Sequence, residues 1–270
     1  IKNIDLENVF TLKEFSDGIV LKKAMMKPEN KRVVIIGAGY IGLEAAEAAV
    51  NLKKEVRIIQ LGDRVIPGSF DKEITDIMEE EIRGHKDVFL NLDEAVSEFE
   101  GKDGRVSGVK TNKGVYPADI VILATGVRPN TKFLEGTGIE TLKNGAIVID
   151  GRGRSSIKDI YAAGDCATVY HKLKKENVYI PLATTSNKIG RVVGENLAGK
   201  DREFKGTLGS AAIKVLDLEA GRTGISSEEA EKMGINYKSV FVHDKNQTSY
   251  YPGQEDIYIK IFMMQILREF

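Results

Sequence analysis

The sequence has one cysteine, Cys166, in 270 residues. A single thiol excludes an internal disulfide, a Cys-x-x-Cys redox pair and a thiolate metal cage. Excess charge is also missing. Lys plus Arg number 39 and Asp plus Glu 40, for a formal charge of −1, which leaves no overall field to draw in a polyanion or an anionic membrane surface. Nucleic acid is thereby excluded as a main partner. No uninterrupted apolar run approaches the roughly 20 residues that cross a bilayer, so no membrane-spanning helix is expected. Only three histidines occur, His85, His171 and His243, none with His-x-x-x-His or neighbouring carboxylate spacing. No metal site follows from them, and capping or solvated roles are expected for all three. Repeats, low-complexity tracts and a proline-rich linker are absent. Nothing at the N-terminus reads as a signal peptide, which makes the cytoplasm the default compartment. With 42% hydrophobic and 29% charged residues, the remaining composition is that of a globular protein. The length suggests about two domains.

Switches between helical and strand periodicity divide the chain into four blocks. Residues 1–29 read as a loop and one helix, with Ser16 and Asp17 as candidate caps, Ile19, Val20, Leu21 and Met25 as the apolar side, and Pro28 as the stop. Residues 30–145 open on Arg32-Val-Val-Ile-Ile-Gly37, which is apolar at every position from Val33 to Ile36. Burial of both faces, as in a parallel sheet, is the expectation. An Ala-rich helix from about Tyr40 to Asn51 and a strand Val56–Ile59 complete a βαβ unit. Next come a helix carrying Ile74, Ile77, Met78 and Ile82, three short extended stretches near 95–99, 105–110 and 115–116, and a strand 120–124. The turn Gly101-Lys-Asp-Gly104 fits a hairpin. Residues 146–203 contain extended stretches at 146–149 and 159–163 and a helix from about Thr185 to Leu197. Residues 204–270 carry β-rich runs at 211–216, 239–243 and 257–262, with a short helix begun by the capping box Ser226-x-x-Glu229. The acidic run Glu79-Glu-Glu81 reads as a solvated helix face.

Gly37-Ala-Gly39-Tyr-Ile-Gly42 lies directly after the apolar strand and opens the Ala-rich helix, the context a GxGxxG needs to act as a dinucleotide site. Gly37 permits the tight turn, Gly39 has no side chain to block a pyrophosphate, and Gly42 lets helix and strand approach. The helix N-terminus then offers N–H groups and a positive dipole end to the phosphates. At the end of the second strand, where a carboxylate would accept from the adenosine ribose, stands Gln60. Its neutral amide can bond the ribose but does not repel a 2′-phosphate, and Arg64 lies four residues on. NAD and NADP both remain open, with NAD favoured because no paired basic residues occupy the strand end.

GAGYIGLEAAEAA, ATGVRPN at 124–130 and DIYAAGDCA at 159–167, in that order, resemble the two-dinucleotide-binding flavoprotein disulfide reductases, and within them the branch of NADH peroxidase, NADH oxidase and coenzyme A-disulfide reductase. The resemblance covers nearly the whole chain. It implies an α/β architecture: a Rossmann-type NAD(P)-binding domain with a parallel sheet and a β-meander at 30–145, partial FAD-binding segments at 1–29 and 146–203, and a partial α+β dimerisation domain from Phe204. It also implies that Gly126 sits beside the nicotinamide cofactor and that Gly164 and Asp165 hold FAD, with Asp165 accepting from the ribityl chain. Tyr40, Ile41 and Glu44 would line the nicotinamide pocket, and the backbone of Pro181, Leu182 and Ala183 would meet the flavin rings. Tyr250 and Tyr251 resemble a tyrosine-bearing loop of the branch, although the preceding Asn246-Gln-Thr-Ser249 differs from the family pattern; an ordinary turn explains the loop equally well.

The resemblance breaks at both ends. The family's first FAD-binding βαβ unit and its redox cysteine have no counterpart here and are expected upstream of Ile1, and the interface domain is expected to continue beyond Phe270. Residues 262–267 would then leave apolar surface to cover. Cys166 follows the flavin motif and is not expected to be the working thiol. The reading implied by the resemblance is a homodimeric flavin-dependent oxidoreductase passing hydride from NAD(P)H to FAD and on to a disulfide such as coenzyme A disulfide, a peroxide or oxygen. An isolated nucleotide-binding module and a nucleotide-sensing interaction protein remain the alternatives.

Overall fold

The computed structural model describes residues 1–264. In chain order the elements are β1 (Val9–Thr11), α1 (Phe15–Met26), β2 (Arg32–Ile36), α2 (Tyr40–Asn51), β3 (Glu55–Ile59), α3 (Lys72–Gly84), β4 (Val88–Asn91), β5 (Val96–Lys102), β6 (Arg105–Thr111), β7 (Val115–Pro117) and β8 (Ile120–Leu123). The chain continues through β9 (Val169–His171), β10 (Glu176–Val178), α4 (Ala183–Leu197), β11 (Ala211–Val215), β12 (Leu218–Arg222), α5 (Ser227–Lys232), β13 (Tyr237–Lys245) and β14 (Asp256–Met264). Contacts group these residues into two compact units. One holds 1–126, 213–220 and the chain from Ser226 on; the other holds 127–212 and 221–225.

In the first unit a parallel sheet has the order β1-β8-β2-β3-β4. The alternation of side chains in a strand explains why β2 is apolar throughout. Val33 and Ile35 join a core with Leu21 and Met25 of α1, Leu43, Ala46 and Ala49 of α2, and Met78 and Ile82 of α3. Val34 and Ile36 face the other way, into a core with Phe99, Val106 and Val109 of an antiparallel meander β5-β6-β7. The β5–β6 turn places Asp103 at φ 53° and Gly104 at φ 79°, the two positive angles of a type I′ hairpin.

Several details differ from the sequence reading, and β9, β10 and β12 are likewise absent from it. β1 and β4 were not anticipated: each is too short for its alternation to stand out, and each is a strand only because it completes an edge of the sheet. Helix α1 is capped at Glu14, with Asp17 Oδ2 accepting from the N–H groups of Lys13 and Glu14 at 3.0 and 2.9 Å, so Ser16 is not the cap. Its buried side is Leu21, Ala24 and Met25, an i, i+3, i+4 set, whereas Ile19 and Val20 are exposed. The acidic run is not a uniformly solvated face. Glu79 accepts from the N–H of Val65 at 3.2 Å, Glu81 accepts from the N–H of Asp217 at 3.1 Å, and only Glu80 is fully exposed.

The first unit also contains the β13–β14 hairpin, paired in register from Tyr237↔Met264 to Lys245↔Asp256. Lys260 fastens it to the start of α3 through Glu73 at 2.8 Å and Asp71 at 3.5 Å. One face stacks Tyr237 on Phe262 and His243 on Tyr258, while Val240, Val242, Ile257, Ile259 and Ile261 are exposed. Of the expected apolar stretch 262–267, residues 265–267 lie outside the described residues.

In the second unit Ile147, Ile149, Ala167, Val169, Ile189 and Val193 form the core. The expected strands at 146–149 and 159–163 make isolated bridges, Thr141↔Ile147, Ile147↔Ala167 and Arg154↔Tyr161, not ladders. Positive φ at Asp159 and Gly164 closes the second stretch at both ends, which leaves no room to extend the pairing. His171 is buried on β9, with Nδ1 accepting from the N–H of Lys174 at 3.3 Å; it is neither solvated nor a cap. Among the described residues no cluster of His, Cys, Asp and Glu could hold a metal ion, and no helix is long and apolar enough to cross a membrane.

Candidate nucleotide-binding cleft

The strand order reverses at β2, whose neighbours β8 and β3 lie on opposite sides, and α/β sheets bind ligands at such a switch, outside the carboxyl ends of the strands. A cleft of ≈560 Å³ opens there. Its walls come from the strand ends: Gly37, Gly39 and Tyr40 after β2, Gln60 and Leu61 after β3, Ala124, Thr125 and Gly126 after β8, with Glu94, Ala95 and Val96 between β4 and β5.

The three glycines of the turn are required for three separable reasons. Gly37 has φ 105°, and a Cβ on it would lie 2.3 Å from the carbonyl oxygen of Ala124. A Cβ on Gly42 would lie 2.0 Å from the carbonyl oxygen of Gly37. Both are fixed by the chain's own packing. Gly39 has an ordinary φ of −80°, and a Cβ there would meet nothing within 4 Å. Nothing inside the protein demands glycine at that position. The space beyond it is cleft, at the N-cap of a 12-residue helix whose first turn carries no acidic residue. That combination suits a pyrophosphate.

The turn is held from outside. Gly37 N–H donates to Ile59 C=O at 2.8 Å, Ile66 N–H to Ala38 C=O at 2.8 Å, and Ala38 N–H to Gln60 Oε1 at 3.0 Å. Gln60 thus spends its acceptor on the glycine turn, and among the described residues nothing accepts from its Nε2. Ile41 is half-buried and Glu44 exposed further along α2, and neither is among the residues lining the cleft. Arg64 does not face it either, since its Nη2 donates to Glu228 of α5 at 3.3 Å. The cation considered for a 2′-phosphate is therefore already paired.

Among the lining residues that the sequence reading does not single out, Glu94 is the one with an ionisable side chain. Glu94 follows β4, the strand that reading lacked, so no periodic signal framed it. Its carboxylate accepts from Thr111 Oγ1 at 2.5 Å and from Asn91 Nδ2 at 2.8 Å. Burial alone would raise its pKa, but the bonds from Thr111, Asn91 and Tyr116 hold it below the ordinary glutamate range.

In the second unit the flavin-motif residues meet at the start of α4. Gly164 has φ 89° with open space around it. Asp165 is exposed, and its Oδ1 accepts from the hydroxyl of Ser186 in the first turn of the helix. Leu182 is the N-cap of that helix, Ala183 its first residue, and Pro181 precedes the cap. A carboxylate at a helix N-terminus is also what a capping role would give. Burial raises the pKa of Tyr179, and the charges of Asp165 and Cys166 add to the effect, so this ring belongs to the same neighbourhood; it too was not singled out from sequence. Cys166 is half-buried, with Sγ 3.4 Å from the carbonyl oxygen of Ala163. Tyr250 and Tyr251 are exposed at the tip of the β13–β14 hairpin, 81% and 60% accessible, and are not among the residues lining the cleft.

A family profile described as pyridine nucleotide-disulphide oxidoreductase matches residues 2–190. The NAD(P)H sulfur oxidoreductase (CoA-dependent) of Pyrococcus abyssi is 43% identical over 260 residues, which is 96% of this chain and 58% of that protein. Among solved structures, the NAD-dependent persulfide reductase from A. fulgidus superposes with a TM-score of 0.91 at 33% identity, covering 98% of this chain and 49% of that one. The water-forming NADH oxidase from Lactobacillus brevis, bound to NADH, gives 0.89 at 36% identity, covering 97% and 57%. The chain thus spans about half to three-fifths of the length of these proteins.

Proposed function

Since the chain belongs to the pyridine nucleotide-disulphide oxidoreductase family, we propose that its first unit binds NAD(P)H in the cleft at the ends of β2, β3 and β8, as part of a flavin-dependent oxidoreductase. The pyrophosphate lies against Gly39 at the N-terminus of α2, in the turn that the packing of Gly37 and Gly42 makes possible, the adenosine ribose takes the free amide N–H of Gln60, and the nicotinamide lies on the side of Tyr40 and Gly126. The resemblance extends that side to Ile41 and Glu44, further along α2 and outside the residues lining the cleft. The flavin, when bound, accepts two electrons as hydride from the nicotinamide. Toward it this chain contributes Asp165 as acceptor for ribityl hydroxyls, the positive φ of Gly164, which leaves space beside that carboxylate, and the backbone of Pro181, Leu182 and Ala183 at the start of α4. The described residues offer one carboxylate and one helix N-terminus for FAD, which fits part of such a site.

For the electron acceptor we favour a sulfur–sulfur bond, as in coenzyme A disulfide, because the Pyrococcus protein, at 43% identity, is named for sulfur reduction. Peroxide and oxygen are the competing acceptors. A homodimer formed through the chain from Phe204 is supported by the exposed aliphatic face of the β13–β14 hairpin. The lone cysteine supports a cytoplasmic setting.

The observation that carries the nucleotide reading is the empty space at Gly39. The Cβ of a leucine at that position meets no protein atom within 4 Å and its branch enters the cradle, so Gly39→Leu is expected to raise the NADH Kd by more than about 100-fold, with thermal unfolding shifted by no more than a few degrees. Retained affinity in a folded variant contradicts the reading.

A further inference from the structure

The cleft lacks a carboxylate at the end of β3 but has one in its wall. Glu94 donates its backbone N–H to the carbonyl of Gln60 at 3.0 Å, so the two residues are locked side by side. The side chain of Glu94 belongs to a residue only 2% exposed, and its two oxygens are held by Thr111 and Asn91. A buried carboxylate held by neutral donors keeps its charge and is screened less than a surface one.

Two cations stand nearby, and neither is paired with Glu94. Arg57 Nη1 donates to Asn91 Oδ1 at 2.7 Å, with its guanidinium 4.6 Å from the centre of the Phe89 ring and 4.3 Å from that of Tyr116. Lys113 Nζ donates to the carbonyl of Leu92 at 2.9 Å. Arg64 is taken by Glu228. The charge of Lys113 helps to hold Glu94 ionised, and of these charged groups Glu94 alone is among the residues lining the cleft.

We propose that Glu94 sets the coenzyme preference of the cleft: its buried carboxylate supplies, beside the strand end, the negative charge that Gln60 does not, and it disfavours a 2′-phosphate on the adenosine ribose. The selection is electrostatic and acts through the wall, so Glu94 is a specificity residue that need not touch the coenzyme. The inference rests on the cleft being a nicotinamide-nucleotide site.

The test is equilibrium titration of the 270-residue chain with NADH and with NADPH, at low salt and at about 0.5 M salt. The unmodified chain is expected to prefer NADH, with the preference narrowing at high salt. Glu94→Gln keeps the shape and removes the charge; it should lower the NADPH Kd roughly tenfold while the NADH Kd stays within about twofold. Thr111→Val deletes one hydrogen bond but leaves the carboxylate, and it should keep the preference of the unmodified chain. An unchanged NADPH-to-NADH ratio in Glu94→Gln overturns the proposal, and so does an equal change in Thr111→Val, which would make the role structural. If Glu94→Gln does not fold, the unmodified chain decides: equal affinity for the two coenzymes, or a preference for NADPH, overturns the proposal. Failure of the unmodified chain to bind either nucleotide overturns instead the reading on which the proposal rests.

Discussion

The glycine turn of the first unit and the flavin motif of the second are both glycine-bearing turns associated with a helix N-terminus, yet they are built differently. Gly37 to Gly42 runs continuously from β2 into α2, so one stretch of sequence supplies the strand end, the turn and the helix dipole. Gly164 and Asp165 are separated by 16 residues from Pro181 and by a hairpin, β9–β10, from the helix whose first turn they meet. In the first case the empty space at Gly39 separates ligand from packing. In the second, Asp165 bonds the hydroxyl of Ser186, and a capping carboxylate would have the same partner. A contiguous motif can therefore be interrogated glycine by glycine, whereas a discontinuous one needs a ligand to show its purpose.

The largest expected effects lie inside the glycine turn. Gly42→Ala puts a methyl 2.0 Å from the carbonyl oxygen of Gly37, and Gly37→Ala adds the wrong φ to a 2.3 Å contact. Each should cost about 3 kcal/mol or more in a denaturant titration, while Gly39→Ala should cost less than about 1 kcal/mol. Equal losses at all three positions would remove the distinction between packing glycines and a ligand glycine.

The next effect concerns what anchors the sheet. Asp119 is partly buried and would on that account titrate high, but the side chain of Arg32 and the N–H groups of Lys31 and Arg32 hold it below the ordinary aspartate value of 3.8. A depressed folded-state pKa contributes stability that is present above 3.8 and is lost as the pH falls through the lower folded value. Acid unfolding of the chain should steepen below about pH 4, and Asp119→Asn should flatten that limb and lower stability near neutrality by about 1–2 kcal/mol. An unchanged limb would show that the Arg32 pair carries no such linkage.

Smaller effects are expected in the second unit. Asp165→Asn keeps a group able to meet Ser186, so stability should shift by less than about 1 kcal/mol and NADH affinity by less than about twofold. A large loss of NADH affinity would break the separation of the two sites. Smallest of all, Tyr250→Ala removes an exposed ring at a hairpin tip and should leave both NADH affinity and the unfolding midpoint unchanged within error.

Legibility in the sequence followed the same division. The β2–turn–α2–β3 unit could be read because every residue from Val33 to Ile36 is apolar and the glycines follow at once; the helix bounds Tyr40 and Asn51 came out as expected. The meander was legible from its Asp103-Gly104 turn. β1 and β4 were not, since three- and four-residue edge strands owe their existence to a neighbouring strand and not to their own pattern. Missing β4 meant missing Glu94 directly after it. Gln60 was located correctly at the strand end, but its tie to Ala38 depends on geometry that no spacing rule conveys. Around 146–163 apolar residues suggest strands, but the chain makes only isolated bridges there, the second stretch being closed by positive φ at Asp159 and Gly164.

The first unit is expected to bind a nicotinamide nucleotide around Gly39. The most direct measurement is a titration of the isotopically labelled chain with NADH, followed by amide chemical shifts. Saturable shifts at Ala38, Gly39, Tyr40 and Gln60, with Gly164, Asp165 and Ala183 unmoved, are the predicted result. Shifts centred on 164–183, or none at the glycine turn, would contradict the account.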